Sequence, residues 1–127
     1  MSSLTRPLSA ALLAASIALL AAAPGGSAAT SLKKCPLSLS KSEALGATYV
    51  TSLKAGGTSC STAVAVAKAF NKCRREKGVS GRCTHRVKDF SCTDNRPAAE
   101  QIPTQLNGHV KCRRGDRRVS FDYQQNR

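Results

Sequence analysis

The sequence predicts an α+β domain: a small antiparallel sheet in the order β–α–β–β–β, one helix packed on it, and disulfides stapling the fold. Three observations carry that reading. Residues 60–73 place apolar side chains at helical spacing. Residues 108–123 alternate about a Gly-Asp turn. Six cysteines fall in a chain of 127 residues.

The N-terminus sets the expected compartment. Arg6 precedes a stretch from Ala10 to Ala23 that is apolar except for Ser16, and Pro24, Gly25 and Gly26 break it. Ser27-Ala28-Ala29 offers small residues for a signal-peptidase site. Residues 1–29 are therefore expected to be a secretory signal and residues 30–127 a single exported domain, extracellular or associated with the cell envelope. The apolar run is too short to cross a bilayer as a stable helix, and no second one follows. With Arg6 gone, the basic residues number one fewer than the chain's 20 Lys+Arg, against all 7 acids. The exported part stays strongly cationic.

Residues 30–45 are polar and irregular. The segment 46–55, GATYVTSLKA, is rich in β-branched and aromatic residues and is expected to be a strand. Gly56-Gly57 breaks it, and Thr58 or Ser59 supplies a helix N-cap. In the helix that follows, Cys60, Ala63, Ala67 and Phe70 share one face with Val66 and Cys73, while Ser61, Lys68, Lys72 and Arg75 form the opposite stripe. Gly78 is expected to end it. Residues 83–92 are expected to be a second strand, although Val87 and Phe90 break strict alternation and suggest a bulge. Residues 93–107, with Pro97 and Pro103, are expected to be a long loop. Residues 108–123 are expected to be a hairpin turning at Gly115-Asp116. Counting outward puts Cys112 opposite Val119 and Val110 opposite Phe121 on an apolar face. Lys111 then faces Ser120 and His109 faces Asp122 on the wet face.

An even number of cysteines in a short exported chain implies disulfides. Their spacings do not suit a zinc site, which wants close-set pairs such as C-x-x-C. Assuming that the helix runs antiparallel to the first strand and that 83–92 returns to the helix start, the expected pairs are Cys73–Cys83, Cys60–Cys92 and, by remainder, Cys35–Cys112. The runner-up exchanges Cys83 and Cys112.

The same assumption gathers charge at one pole: Lys33 and Lys34, then Arg74, Arg75, Lys77 and Arg82 beyond the helix, then Arg113, Arg114, Arg117 and Arg118 at the hairpin tip. The last eight are the candidate anion-binding residues. Arg113 would face Arg118, and like charges set opposite each other cost stability. The plainer account is that cations in a helix's last turn complement its dipole, and that high net charge favours solubility.

Other chemistries are less well supported. A basic, exported, disulfide-rich chain with two histidines, His85 and His109, resembles secreted ribonucleases in composition, but nothing in the sequence brings the two rings together. Glu43, Glu76 and Glu100 give no pair for glycoside hydrolysis. No phosphate loop, H-E-x-x-H or G-x-S-x-G is present, and no cofactor is expected. Arg114-Gly115-Asp116 matches an adhesion tripeptide but reads as turn chemistry.

The stretches GTSCSTAVAVAKAFNKC, VKDFSC and VKCRRGDRRVSFDY resemble a pattern in small exported bacterial proteins, chiefly actinobacterial. There a Thr-Ser-Cys opens a helix, an aromatic-x-Cys closes a strand and a cysteine-bearing hairpin ends in an aromatic strand. The resemblance covers residues 48–123 and carries no established activity, so it assigns no site. Cys35 and the Cys73/Cys83 pair look like additions to that pattern.

The leading expectation is a non-enzymatic module that binds an anionic polymer, a cell-wall polymer or nucleic acid, by electrostatics. The absence of Trp and the scarcity of aromatics argue against recognition by base stacking. The second expectation is an inhibitor presenting the 93–107 loop to a secreted hydrolase. The third is a ribonuclease-like enzyme.

Overall fold

The computed structural model describes residues 30–127, so the apolar segment and the expected cleavage site lie outside the described residues. The elements are β1 (Lys33–Lys34), α1 (Leu39–Glu43), β2 (Tyr49–Gly56), α2 (Cys60–Arg75), β3 (Ser91–Asn95), β4 (Gln105–Arg114) and β5 (Arg117–Asn126), with a 3-10 turn at Ala98–Glu100. The strands form one sheet in the order β1-β2-β5-β4-β3, every neighbour antiparallel. The fold is the expected disulfide-stapled α+β type, with two short elements, β1 and α1, added from the segment expected to be irregular.

α2 begins where Ser59 accepts a hydrogen bond from the Thr62 N–H at 3.0 Å. Its apolar stripe, Ala63, Val66, Ala67 and Phe70, is buried against Val50 and Leu53 of β2, Val110 of β4 and Val119 and Phe121 of β5. The Phe70 ring meets Phe121 edge-on at 5.6 Å between centroids. Helix and sheet thus share one core, and among the described residues no helix lies over the other face of the sheet.

The β4–β5 hairpin has the register counted from the sequence: Cys112 faces Val119, Val110 faces Phe121, Lys111 faces Ser120, His109 faces Asp122 and Arg113 faces Arg118. Gly115 sits at φ 55°, the left-handed value that the first turn position of such a hairpin requires.

Two expectations are corrected between α2 and β4. Residues 83–92 are not a strand. Val87 and Phe90 exchange two backbone hydrogen bonds, of 3.0 and 2.8 Å, across Lys88 and Asp89, both at positive φ. The broken alternation is therefore a tight turn, anchored by two buried apolar ends. The strand begins only at Ser91. Nor are residues 93–107 a long loop: they hold most of β3, the 3-10 turn and the start of β4. Gln101 ties that turn down through bonds to the Pro97 and Asn107 carbonyls and the Asn107 N–H.

The late start of β3 reverses the direction of every later strand relative to the expected topology. Two of the three disulfides change with it. Cys73–Cys83 is present. Cys60 bonds Cys35, because β1 lies beside β2 at the end where α2 begins, and Cys92 bonds Cys112, its direct partner in the β3–β4 register. The expected Cys60–Cys92 and Cys35–Cys112 pairs do not occur. No cysteine is free.

Candidate anion-binding face

The single basic pole does not exist, for the same topological reason. β5 runs antiparallel to β2, and Arg118 lies opposite Gly56. The hairpin tip therefore sits beside the start of α2, while Arg75, the last residue of the helix at its other end, bonds the Gly46 carbonyl. Lys33 and Lys34 pair with Ala55 and Lys54, near the tip. Arg82 bonds the Asp94 carbonyl on β3 at 2.9 Å. Arg75 and Lys77 remain exposed, far from the hairpin arginines.

Arg74 leaves the surface altogether. It is fully buried and lies 4.3 Å from the centre of the Tyr123 ring. Its donors reach Asn71 Oδ1 at 2.8 Å, the Val79 carbonyl at 3.1 Å and Gln125 Oε1 at 2.9 Å. Burial lowers its pKa from the ordinary arginine value. Beside it, burial and then the charge of Asp94 push the Tyr123 hydroxyl up to about 12. Asp94 also holds Arg96 at 2.8 Å, and Arg96 reaches the Ser80 and Gly81 carbonyls. This interior network fixes the chain after α2 to the edge of the sheet. A Cβ on Gly108 would lie 2.4 Å from the Tyr123 ring, so only glycine admits that ring.

Strand alternation divides the hairpin arginines between two faces. Arg114 and Arg117 turn to the α2 side, where Arg114 stands 3.7 Å from Asp89. Arg113 and Arg118 turn to the uncovered side. Following the register across the sheet gives two adjacent rows on that side. One is Gly56, Arg118, Arg113 and Ser91; the other is Lys34, Lys54, Ser120, Lys111 and Thr93. Arg86 extends the first row by donating to Ser91 Oγ at 3.2 Å. Neither row contains a carboxylate. Among the described residues, the side chains of Lys34, Lys54, Lys111, Arg113 and Arg118 take part in no ion pair or hydrogen bond, and Lys111 only accepts at its backbone carbonyl from the Thr93 hydroxyl. At the spacing of adjacent strands, the belt from β1 to β3 runs roughly 19 Å.

The sequence already gave Arg113, Arg118 and Lys111 their side of the hairpin. Lys34, Lys54 and Arg86 join them only through the β1–β2, β2–β5 and β3–β4 neighbourhoods, of which the sequence carries no local sign.

The two histidines lie on opposite sides of the sheet. His85 Nδ1 is 3.6 Å from Cys73 Sγ on α2. Cys73, Cys83 and His85 bring their ligand atoms within 4.8 Å of one another, but the two sulfurs are spent in a disulfide. His109, on the uncovered face, bonds Asp122 at 2.7 Å through Nδ1 and Glu100 at 2.6 Å through Nε2. Both ring nitrogens are thus engaged with carboxylates, chiefly Asp122 and then Glu100, and its pKa is raised. A ring held in this way ties the 3-10 turn to the sheet.

No family model, no curated protein and no solved structure matches this chain. Among the described residues no helix is long and apolar enough to cross a membrane.

Proposed function

We propose that this is an exported, disulfide-stapled module that binds an anionic polymer of the cell envelope or extracellular space across the uncovered face of its sheet, without catalysing a reaction. The observation that carries this reading is the cationic belt: Lys34, Lys54, Lys111, Arg113, Arg118 and Arg86 in two adjacent rows free of carboxylates. Folding sets Arg113 opposite Arg118, an arrangement that costs stability until an anion is shared between them. Three disulfides support export, because such bonds persist outside the reducing cytoplasm. The interior network around Arg74 and the bonds of Gln101 brace the sheet, so little conformational freedom is lost on binding.

Retention of the folded protein on an immobilised polyanion, measured against salt, tests the proposal. For a single-stranded polymer the slope of log affinity against log salt is about 0.7 per neutralised charge, so six contacts give about 4. Retention that does not respond to salt, or that survives Lys34→Ser/Lys54→Ser/Arg113→Ser/Arg118→Ser unchanged, refutes it.

A further inference from the structure

We infer that one part of this belt is a discrete seat for a tetrahedral oxyanion, the phosphate of a phosphodiester polymer, formed by Lys111, Arg113 and Arg118 around the Ser120 hydroxyl; the inference rests on the polymer-binding reading and names its ligand. Register alone brings the four together. Arg113 lies directly across from Arg118, and Lys111 directly across from Ser120, one row away on the same face. They line a concavity of about 160 Å³, with the Leu32 side chain as an apolar wall. Gly56 makes room for that wall. A Cβ there would come within 3.1 Å of Leu32 Cδ2 and 3.0 Å of the Ser31 carbonyl.

The acids nearby do not fill the seat. Asp122, one row beyond Lys111 and Ser120, is held by Ser52 at 2.8 Å and by His109. Asp116 lies in the hairpin turn, with its backbone carbonyl turned toward Gly57. Two guanidinium forks, an ammonium and a hydroxyl are thus left as donors around one concavity. A carboxylate has two oxygens in one plane and satisfies a single fork. A phosphate directs its oxygens tetrahedrally and can meet both forks and the hydroxyl together. The aliphatic wall suits the carbon skeleton between phosphates better than it suits a base, since no aromatic residue stands in either row.

The test uses the disulfide-bonded protein, with inorganic phosphate, polyphosphate and polyglutamate as probes. Amide and side-chain resonances of Lys111, Arg113, Arg118 and Ser120 should shift saturably with phosphate. Arg118→Gln should weaken that binding about tenfold, the loss expected for one charge-assisted contact. Polyphosphate should be retained to higher salt than polyglutamate of equal charge, and Ser120→Ala should narrow the gap. Equal retention of the two polymers with no saturable phosphate shift overturns the seat and leaves the belt standing. Retention of neither polymer overturns the belt and, with it, the seat as a site for a polymer's phosphate. Phosphate shifts centred on Arg114 and Arg117 overturn the seat.

Discussion

Arg74 shows how much one side chain can depend on its place in a helix. It follows Phe70 by four residues and Ala67 by seven, so it continues the buried stripe of α2 and could not have been a surface cation. That phase is present in the sequence, although charge is the more conspicuous signal of the run Arg74-Arg75. Replacing Arg74 with Met is expected to cost about 3 kcal/mol or more, because Asn71, Gln125 and the Val79 carbonyl lose their donor in the interior. A denaturant midpoint measures this, and a loss below about 1 kcal/mol would mean that those acceptors find other partners. Arg118 should behave in the opposite way. Arg118→Ser removes a like-charge pair and is expected to raise stability by a few tenths of a kcal/mol while weakening polyanion binding. A variant that loses both binding and stability would show that Arg118 supports the hairpin instead.

Elements were legible where their signals were local. α2 announces itself by a cap, a stripe and a terminating glycine, and Ser59→Ala is expected to cost about 1 kcal/mol in thermal or denaturant unfolding. The β4–β5 register followed from alternation about a two-residue turn. The segment after α2 resembles a bulged strand because Val87 and Phe90 are apolar, yet their three-residue spacing, which breaks alternation, belongs to the two ends of a turn. The 3-10 turn was hidden as well, since its hold on the sheet is a side-chain bridge, from Glu100 through His109 to Asp122. That bridge should depend on pH. The raised His109 pKa means that its contribution is complete below the ordinary histidine value, about 6.5, and is lost as pH rises through the higher folded value. Amide exchange at Glu100 and Gln101 should therefore quicken, beyond its intrinsic rise, above that value. His109→Asn should abolish the dependence. A wild-type profile that tracks intrinsic exchange throughout would show that the turn is held by Gln101 alone.

At the scale of the molecule, the sequence conveyed the class of fold but not its handedness of travel. A strand that starts at Ser91 rather than near Cys83 reverses all that follows, and it exchanged both the disulfide partners and the arginines that share a surface. No local pattern encodes which strands become neighbours; in this chain the pairing of β5 with β2 across the middle of the sheet decides it. Peptide mapping of the oxidised protein should recover Cys35–Cys60, Cys73–Cys83 and Cys92–Cys112. Any link between two of those pairs would displace the sheet order and, with it, the belt.

The three bonds also follow one another along the chain without interlocking, closing spans of 25, 10 and 20 residues in turn. Each should lower the entropy of the unfolded chain by an amount equivalent to about 3 kcal/mol. A polypeptide delivered N-terminus first can then seal every span before the next cysteine arrives, so oxidation in order of emergence yields the native set with no reshuffling.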